Sequence, residues 1–382
     1  MATTIGLPSL TITFQKAAQA VANRSKKGYV GVFVRDAEAQ GVHQLTSAAL
    51  IPSELGVDNQ DYLTRAFAGT DRGQPSKVVA VVIAPGTEDT TALTAGLKLI
   101  ENQSLDYIAP PPDVTAEEKT LLETWVKERR KNYFTEKLVE ANPAAPPDDM
   151  GIISFKETDS AIAAGKTTYT AAQYASRIAG ALAGIPMGMS CTYASLEELT
   201  AVTPRSEEEQ KTAINEGNLI LIHDGQVAKI GRGVNSLTTI PATGNADWSK
   251  IKIVEGMDLI TYYLRTTIQG QYIGCYPNTY DNKCLLLTAI REYLTYLESA
   301  GVLNPGESWA EIDVEAQERW LKAQGGGDRH PHRAAAQGVS DRELGLYQVR
   351  WPSGGCYGGL PGDLPCHGCP GAVRRERYGN EY

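Results

Sequence analysis

The chain has 382 residues, 42% of them hydrophobic and 21% charged, with a formal net charge of -9. That balance fits a globular protein of two or three domains with a sizeable core. It argues against nonspecific nucleic-acid binding, which needs a basic surface to displace counterions from phosphates. No apolar run of about eighteen residues is present, so no membrane span is expected, and the start "MATTIGLPSLTITF" lacks the charged head and long apolar core of an export signal.

"LPSLTITFQ" alternates as a strand should, with Leu10, Ile12 and Phe14 on one face. A polar, loop-like stretch separates it from the buried-looking strand "GYVGVFVRD" (28–36), so the first strand stands on a leash ahead of any domain. A lone strand is not stable in water. From Gly28 the pattern is α/β: a helix at about 60–68, the near-continuous apolar strand "KVVAVVIAP", then a helix at about 88–101 with Leu93, Leu97 and Ile100 on one side. "YIAPPPD" is expected to be a stiff connector, because prolines cannot continue a helix. Thr115 with Glu118 three residues on forms a capping box that opens the next helix, and "NYFTEKLVEA" and "MGIISFKE" are two further strands.

A second region begins near Thr168. "TYTAAQYASRIAGALAGIPMG" is a small-residue helix in which Gly180 and Gly184 admit another backbone, and Pro186 ends it. An acidic helix start, "TPRSEEEQKTAINEG", leads to "NLILIHDGQVAKIGRGVNSLTT", two short strands expected to meet in a tight primed turn at Asp224-Gly225. Leu219, Leu221, Val227 and Ile230 are its expected buried residues. "KIKIVEGMDLITYYLRTTIQGQYIG" is expected to be a strand running into a helix. After it comes the best amphipathic helix in the chain, with Leu286, Ile290, Leu294 and Leu297 as its stripe and Gly301 as its stop. "IDVEAQERWLKAQ" is expected as one more helix.

From Gly325 onward there is no Lys, Ile or Phe, but seven Arg and thirteen Gly, and no periodicity. This usage resembles an out-of-frame translation of a GC-rich gene, and a segment so poor in apolar residues is not expected to pack on the body.

Chemical motifs are weak throughout. "AIAAGKTT" lacks the glycine five residues ahead that a phosphate-cradling loop needs, so it is expected to be a plain loop before a helix. "IGRGVN" lacks the third glycine of a dinucleotide fingerprint. Cys356, Cys366 and Cys369 with His330 and His332 have zinc-ligand chemistry but poor spacing for a closed tetrahedral site. Cys191, Cys275 and Cys284 are expected as small apolar fillers with reduced thiols. His43, His223 and Ser190 form no readable nucleophile–base arrangement, so covalent chemistry, cofactors and metals are not expected.

Three blocks in order, "GLPSLTITFQKAAQAVANRSKKGYVGVFVRD", "GNLILIHDGQVAKIGRGVNSLTT" and "YIGCYPNTYDNKCLLLTAIREYLTYLESAGVL", are together similar to the tail sheath proteins of contractile phage tails. The nearest likeness is to the shorter sheath subunits of Gram-positive phages, defective prophages and tailocin-like particles, and it spans about residues 5 to 324. Asn278 and Lys283 approximate the family's pattern after Tyr-Ile-Gly.

The resemblance implies a non-enzymatic virion component, assembled in the bacterial host cytoplasm, that forms hexameric rings stacked helically around a tail tube protein. Baseplate and tail terminator proteins are its further partners, with no nucleic acid and no membrane. It implies a mixed α/β fold with an arm over 1–27, an outer α/β domain over 28–165 and an inner, tube-facing domain over 166–325. The inner domain's small sheet would be completed by strands from neighbouring subunits, with Leu10, Ile12, Phe14, Leu219, Leu221, Val227 and Ile230 at that interface. Family members end in an apolar arm, whereas residues 326–382 here form an atypical tail. The competing reading is an α/β enzyme or small-ligand binder whose site is not visible in sequence.

Overall fold

A computed structural model describes residues 28–86, 89–240, 246–272, 275–276, 280–312 and 347–350. Its strands are β1 (Tyr29–Arg35), β2 (Gly41–Leu45), β3 (Lys77–Ile83), β4 (Tyr107–Ala109), β5 (Lys137–Ala141), β6 (Ile152–Phe155), β7 (Ile162–Ala164), β8 (Thr167–Tyr169), β9 (Ser195–Leu196), β10 (Asn218–Leu219), β11 (Leu221–His223), β12 (Ala228–Ile230), β13 (Trp309–Ile312) and β14 (Tyr347–Arg350). The α-helices are α1 (Val57–Ala66), α2 (Thr91–Leu99), α3 (Ala116–Lys131), α4 (Ala171–Gly184), α5 (Glu207–Asn215), α6 (Ile251–Thr267) and α7 (Tyr280–Ser299).

A seven-stranded sheet in the order β10-β6-β5-β4-β1-β3-β2 forms the centre. Its strands pair in parallel except β2, which runs antiparallel to β3. The unbroken apolar runs of β1 and β3 are explained by cover on both faces. Val30, Val32, Val78 and Ala80 pack with Leu63 of α1 and Ile178 of α4. Phe33, Val79 and Val81 pack with Leu97 of α2 and Val126 of α3 on the other side.

Residues of the expected connector "YIAPPPD" are a central strand: Tyr107–Ala109 lies buried between β1 and β5, and the prolines begin only where pairing stops. The capping box is present, with Thr115 Oγ1 accepting from the Glu118 N–H at 3.3 Å and Glu118 Oε2 accepting from the Thr115 N–H at 3.0 Å.

The sheet runs past residue 165. Helix α4 covers it, and β10 pairs with β6. "AIAAGKTT" folds as the β7–β8 hairpin, turning at Gly165 with φ +62, rather than as a plain loop. The expected strand at "KIKIV" is instead the first turn of α6, with Ile251 and Val254 buried at helical spacing.

Helices α6 and α7 build a separate core in which Leu286, Ile290, Leu294 and Leu297 meet Ile260 and Tyr263. The Tyr263 and Tyr293 ring centroids there are 3.7 Å apart. Strand β13, absent from the sequence expectation, packs its Ala310 into this core and pairs antiparallel with β14. Residues 347–350 of the atypical tail therefore do pair with the body. The helix expected over 312–324 lies outside the described residues apart from Ile312, which ends β13.

Candidate functional site: an assembly edge and a polar seam

The stretch 218–223 leaves one sheet and enters another. Leu219 belongs to β10 in the large sheet, and its carbonyl accepts from the Lys156 N–H at 3.0 Å. Two residues on, Leu221 opens a three-stranded sheet of order β11-β12-β9. Asn218 and Ser154 close the junction with a buried side-chain hydrogen bond of 2.7 Å.

In the hairpin, His223 pairs with Ala228, so the two central turn residues are Gly225 and Gln226 rather than Asp224 and Gly225. Gly225, at φ +93, supplies the left-handed conformation at the first central position. Asp224 instead caps the turn, its Oδ1 accepting from the Gln226 and Val227 N–H groups at 2.9 Å each. Those bonds, with that from Lys229, hold the Asp224 carboxyl well below the usual range; the Lys229 bond is the largest cause.

In either register Val227 shares the face of Ile222, and Ala228 and Ile230 share that of Leu221. Leu219, Leu221 and Ile230 are fully buried as expected, but Val227 is only half-buried, and Ala228 takes the inner position. The three buried residues lie in the chain's own core, behind the edge rather than on it. Leu10, Ile12 and Phe14 lie outside the described residues.

Among the described residues the outer edge of β11 is one of the sheet edges, with those of β2 and β9, to which no strand is paired. Bonds from the Gly231 N–H to the Ile220 carbonyl and from the Asp224 N–H to the Val227 carbonyl fix the inward-bonding positions. Leu221 and His223 therefore point their amide groups away from β12. The Leu221 N–H is taken by Glu157 Oε1 at 2.7 Å. The same buried carboxylate accepts from Arg205 Nη1 at 2.9 Å and, through Oε2, from the Thr203 N–H at 3.2 Å. Beyond it, no strand among the described residues pairs with the β11 edge. His223 is exposed, and its Nδ1 accepts from the Gly225 N–H at 3.0 Å. The following "GVNSLTT" run returns to the large sheet. There the Ser236 N–H bonds the Ile152 carbonyl, and Asp148 accepts from the Thr238 and Thr239 N–H groups, which lowers its carboxyl to about 2.

A second polar feature joins α6 to the amino-terminal end of the parallel strands. Lys252, Glu255 and Asp258 follow at three-residue spacing and share a helix face. Asp258 accepts bidentately from Arg130 at 2.8 and 3.1 Å and lies 2.6 Å from Lys137 Nζ at the start of β5. Glu255 Oε1 accepts from the Tyr107 hydroxyl at 2.6 Å, and Lys252 donates to the Gly188 carbonyl at 2.8 Å. Burial pushes Glu255 up to about 7, opposed by the Lys137 charge and the Tyr107 bond. A cavity of about 50 Å³ lies here, lined by Asp106 and Thr135 as well as by Glu255 and Asp258. Ligands of open α/β sheets sit beyond the carboxyl ends of the strands, and this seam is at the opposite end.

Nothing in local sequence marks Glu157, Glu255 or Asp258, because their partners are supplied from 46 to 148 residues away. Other sequence expectations resolve simply. Cys191 is buried as a filler, but Cys275 is exposed. Ser190 Oγ bonds Thr192 Oγ1, and the half-buried His43 bonds the Ala39 carbonyl. Among the described residues no group of three or more His, Cys, Asp or Glu is placed to hold a metal. The cysteines and histidines after residue 325 lie outside the described residues.

What the β11 edge can do chemically is exchange backbone hydrogen bonds, the chemistry of strand addition and assembly. Comparison with known proteins identifies the lineage. Residues 243–325 match the phage tail sheath C-terminal domain family. A tail sheath protein of Clostridium phage phiCD119 is 34% identical over 319 residues, covering 83% of this chain and 87% of that protein. The sheath tail protein of Listeria innocua superposes with a TM-score of 0.64 at 16% identity, over 79% of this chain and 93% of that one. The helical sheath of the anti-feeding prophage in its contracted state gives 0.64 at 14% identity, over 88% and 93%. The chain belongs to the phage tail sheath protein family. The family match ends at Gly325, the residue from which the composition changes.

Proposed function

We propose that this chain is the structural subunit of a contractile tail sheath. Copies polymerise as stacked hexameric rings around a tail tube, and contraction drives the tube through a target cell envelope. The observation that carries this reading is the 34% identity to a tail sheath protein along 83% of the chain, and the unpaired β11 edge supplies a physical means of linking subunits.

In this reading the outer domain is assigned to 28–165 and the inner one to 166–325, although α4 and β10 from the second stretch complete the large sheet of the first. The arm strand with Leu10, Ile12 and Phe14 adds to a neighbour's sheet, and Leu219, Leu221 and Ile230 hold the receiving edge rigid from behind, with Val227 beside the turn. The subunit performs no catalysis. Its partners are its own copies, the tube, the baseplate and the tail terminator, and its place is the tail of a virion or tailocin particle after assembly in the host cytoplasm. Apart from the four residues of β14, the stretch after Gly325 lacks the apolar content of a long strand-forming arm. Reading the coding DNA downstream of Gly325 in the other two frames should reveal one that encodes such an arm.

Electron microscopy of the purified protein, alone and co-expressed with a cognate tube protein, tests the reading. Rings or tubes support it. Uniform small particles in both preparations, with melting that responds to a small ligand, would favour an α/β ligand-binding protein instead.

A further inference from the structure

We propose that β14 is an intramolecular cap, which closes the pairing edge of β13 against strand addition by a second copy of this chain. This goes beyond the sheath reading and does not depend on it.

Helix α7 holds β13 from one side. Arg291 Nε and Nη2 both donate to the Ala310 carbonyl, at 3.1 and 2.9 Å. Glu298, seven residues further along and so on the same face of the helix, accepts from the Ser308 N–H at 3.3 Å and from the Ser308 hydroxyl. Ala310 itself is wholly buried in the core that α6 and α7 share. Strand β13 is thus fixed to the body by side chains and packing, and its opposite edge is left for a strand.

Strand β14 takes that edge along its whole length, pairing Trp309 with Arg350, Ala310 with Val349, Glu311 with Gln348 and Ile312 with Tyr347. Four residues are too few for an arm that reaches another subunit, yet they match β13 one for one. Tyr347 and Val349 are of types that favour extended backbone. The two strands differ in origin. Strand β13 lies within residues 243–325, which match the sheath family, and β14 lies beyond them. Deprived of β14, the β13 edge would present unpaired N–H and C=O groups, the template on which another chain pairs. An antiparallel partner can be the same strand of a second copy, related by a two-fold axis. Because β14 belongs to the chain it caps, it competes with any outside strand at high effective concentration.

The full-length chain carrying both Gln348→Pro and Val349→Pro tests this. Proline has no N–H, and adjacent strand residues send their amides to opposite sides, so one of the two prolines removes a bond to β13. In sedimentation velocity the variant should form larger species than wild type under the same conditions. A labelled peptide of residues 345–351 should bind the variant roughly tenfold more tightly than wild type, whose own β14 competes with it. Excess peptide should return the variant to the wild-type profile and leave wild type unchanged. A variant that sediments as wild type does overturns the proposal. So do larger species that excess peptide fails to disperse, and peptide binding that is equal for the two chains.

Discussion

The backbone N–H of Leu221 donates to Glu157 Oε1 across 2.7 Å, so the first outward-facing amide of the β11 edge is held by a side chain from the end of β6. Glu157 also carries Arg205 and the Thr203 N–H, with its side chain wholly inaccessible. Removing it would leave a guanidinium and two amides without their acceptor. Breaking one side of a buried ion pair costs about 3–5 kcal/mol, so Glu157→Ala should lower stability by that order in urea denaturation. A loss under about 1 kcal/mol would mean that the edge is not anchored by this carboxylate.

Gly180 of α4 faces the backbone of Ala66 in α1 so closely that a Cβ there would overlap the Ala66 carbonyl oxygen. Glycine-to-alanine in a helix interior ordinarily gains about 1 kcal/mol. Here the obstacle is backbone, which cannot rotate aside, and overpacking of this kind costs about 1–3 kcal/mol or more. Gly180→Ala should therefore destabilise, with a lowered melting temperature by calorimetry. A raised one would show that the two helices can part without loss.

Local chemistry explains which parts of this architecture are legible in sequence. The capping box of Thr115 and Glu118 needs only residues three apart, and the glycine pair of α4 announces a close backbone contact without naming it. Tyr107–Ala109 is a strand because β1 and β5 flank it, which three residues ahead of prolines cannot reveal. The hairpin was readable but not its turn centre, since Asp-Gly fits either register until His223 meets Ala228. "KIKIV" alternates like a strand, but its pairing stops at a single bridge from Lys250 to Val234, and Ile251 and Val254 serve a helix. The seam of Arg130, Lys137, Glu255 and Asp258 joins residues more than a hundred positions apart, and no periodicity encodes it.

Tyr133 occupies the left-handed position after α3, at φ +62. The Phe134 N–H bonds the Arg129 carbonyl, and the Tyr133 N–H bonds that of Arg130, the paired closure that glycine usually provides. Its side chain is mostly exposed, so little packing offsets the strain. Relief of left-handed strain is worth about 1–2 kcal/mol, less about 0.4–1 for glycine's freer unfolded chain. Tyr133→Gly should stabilise the monomer by roughly 0.5–1 kcal/mol in denaturant titration. If the variant also fails to form polymer while folding more stably, the ring serves an interface.

Glu140 lies inside β5 under α3, where burial first and the Glu123 carboxylate next push it up to about 7 from 4.5. A raised folded value means that this group favours folding below about pH 4.5 and loses that contribution as pH rises towards 7. Stability should accordingly fall between pH 5 and pH 8. Glu140→Gln, neutral throughout, should flatten that slope and be more stable than wild type at pH 8 by about 1–3 kcal/mol. Parallel urea curves at the two pH values would check it, and an E140Q protein as pH-dependent as wild type would count against a buried, raised carboxyl.

Removal of residues 1–15 separates folding from assembly. All three apolar clusters among the described residues are built from positions 29 to 310. If the alternating Leu10, Ile12 and Phe14 serve a neighbouring subunit, a chain lacking them keeps its own core and loses only the link. The truncated protein should therefore melt within a few degrees of the full chain, a shift of about 1 kcal/mol or less at this size, while forming no rings or tubes under conditions in which the full chain does. Sedimentation velocity and calorimetry on the same preparation give both answers. A truncated chain that unfolds would place the strand in the subunit's own core, and one that still polymerises would show that the linkage runs through other strands.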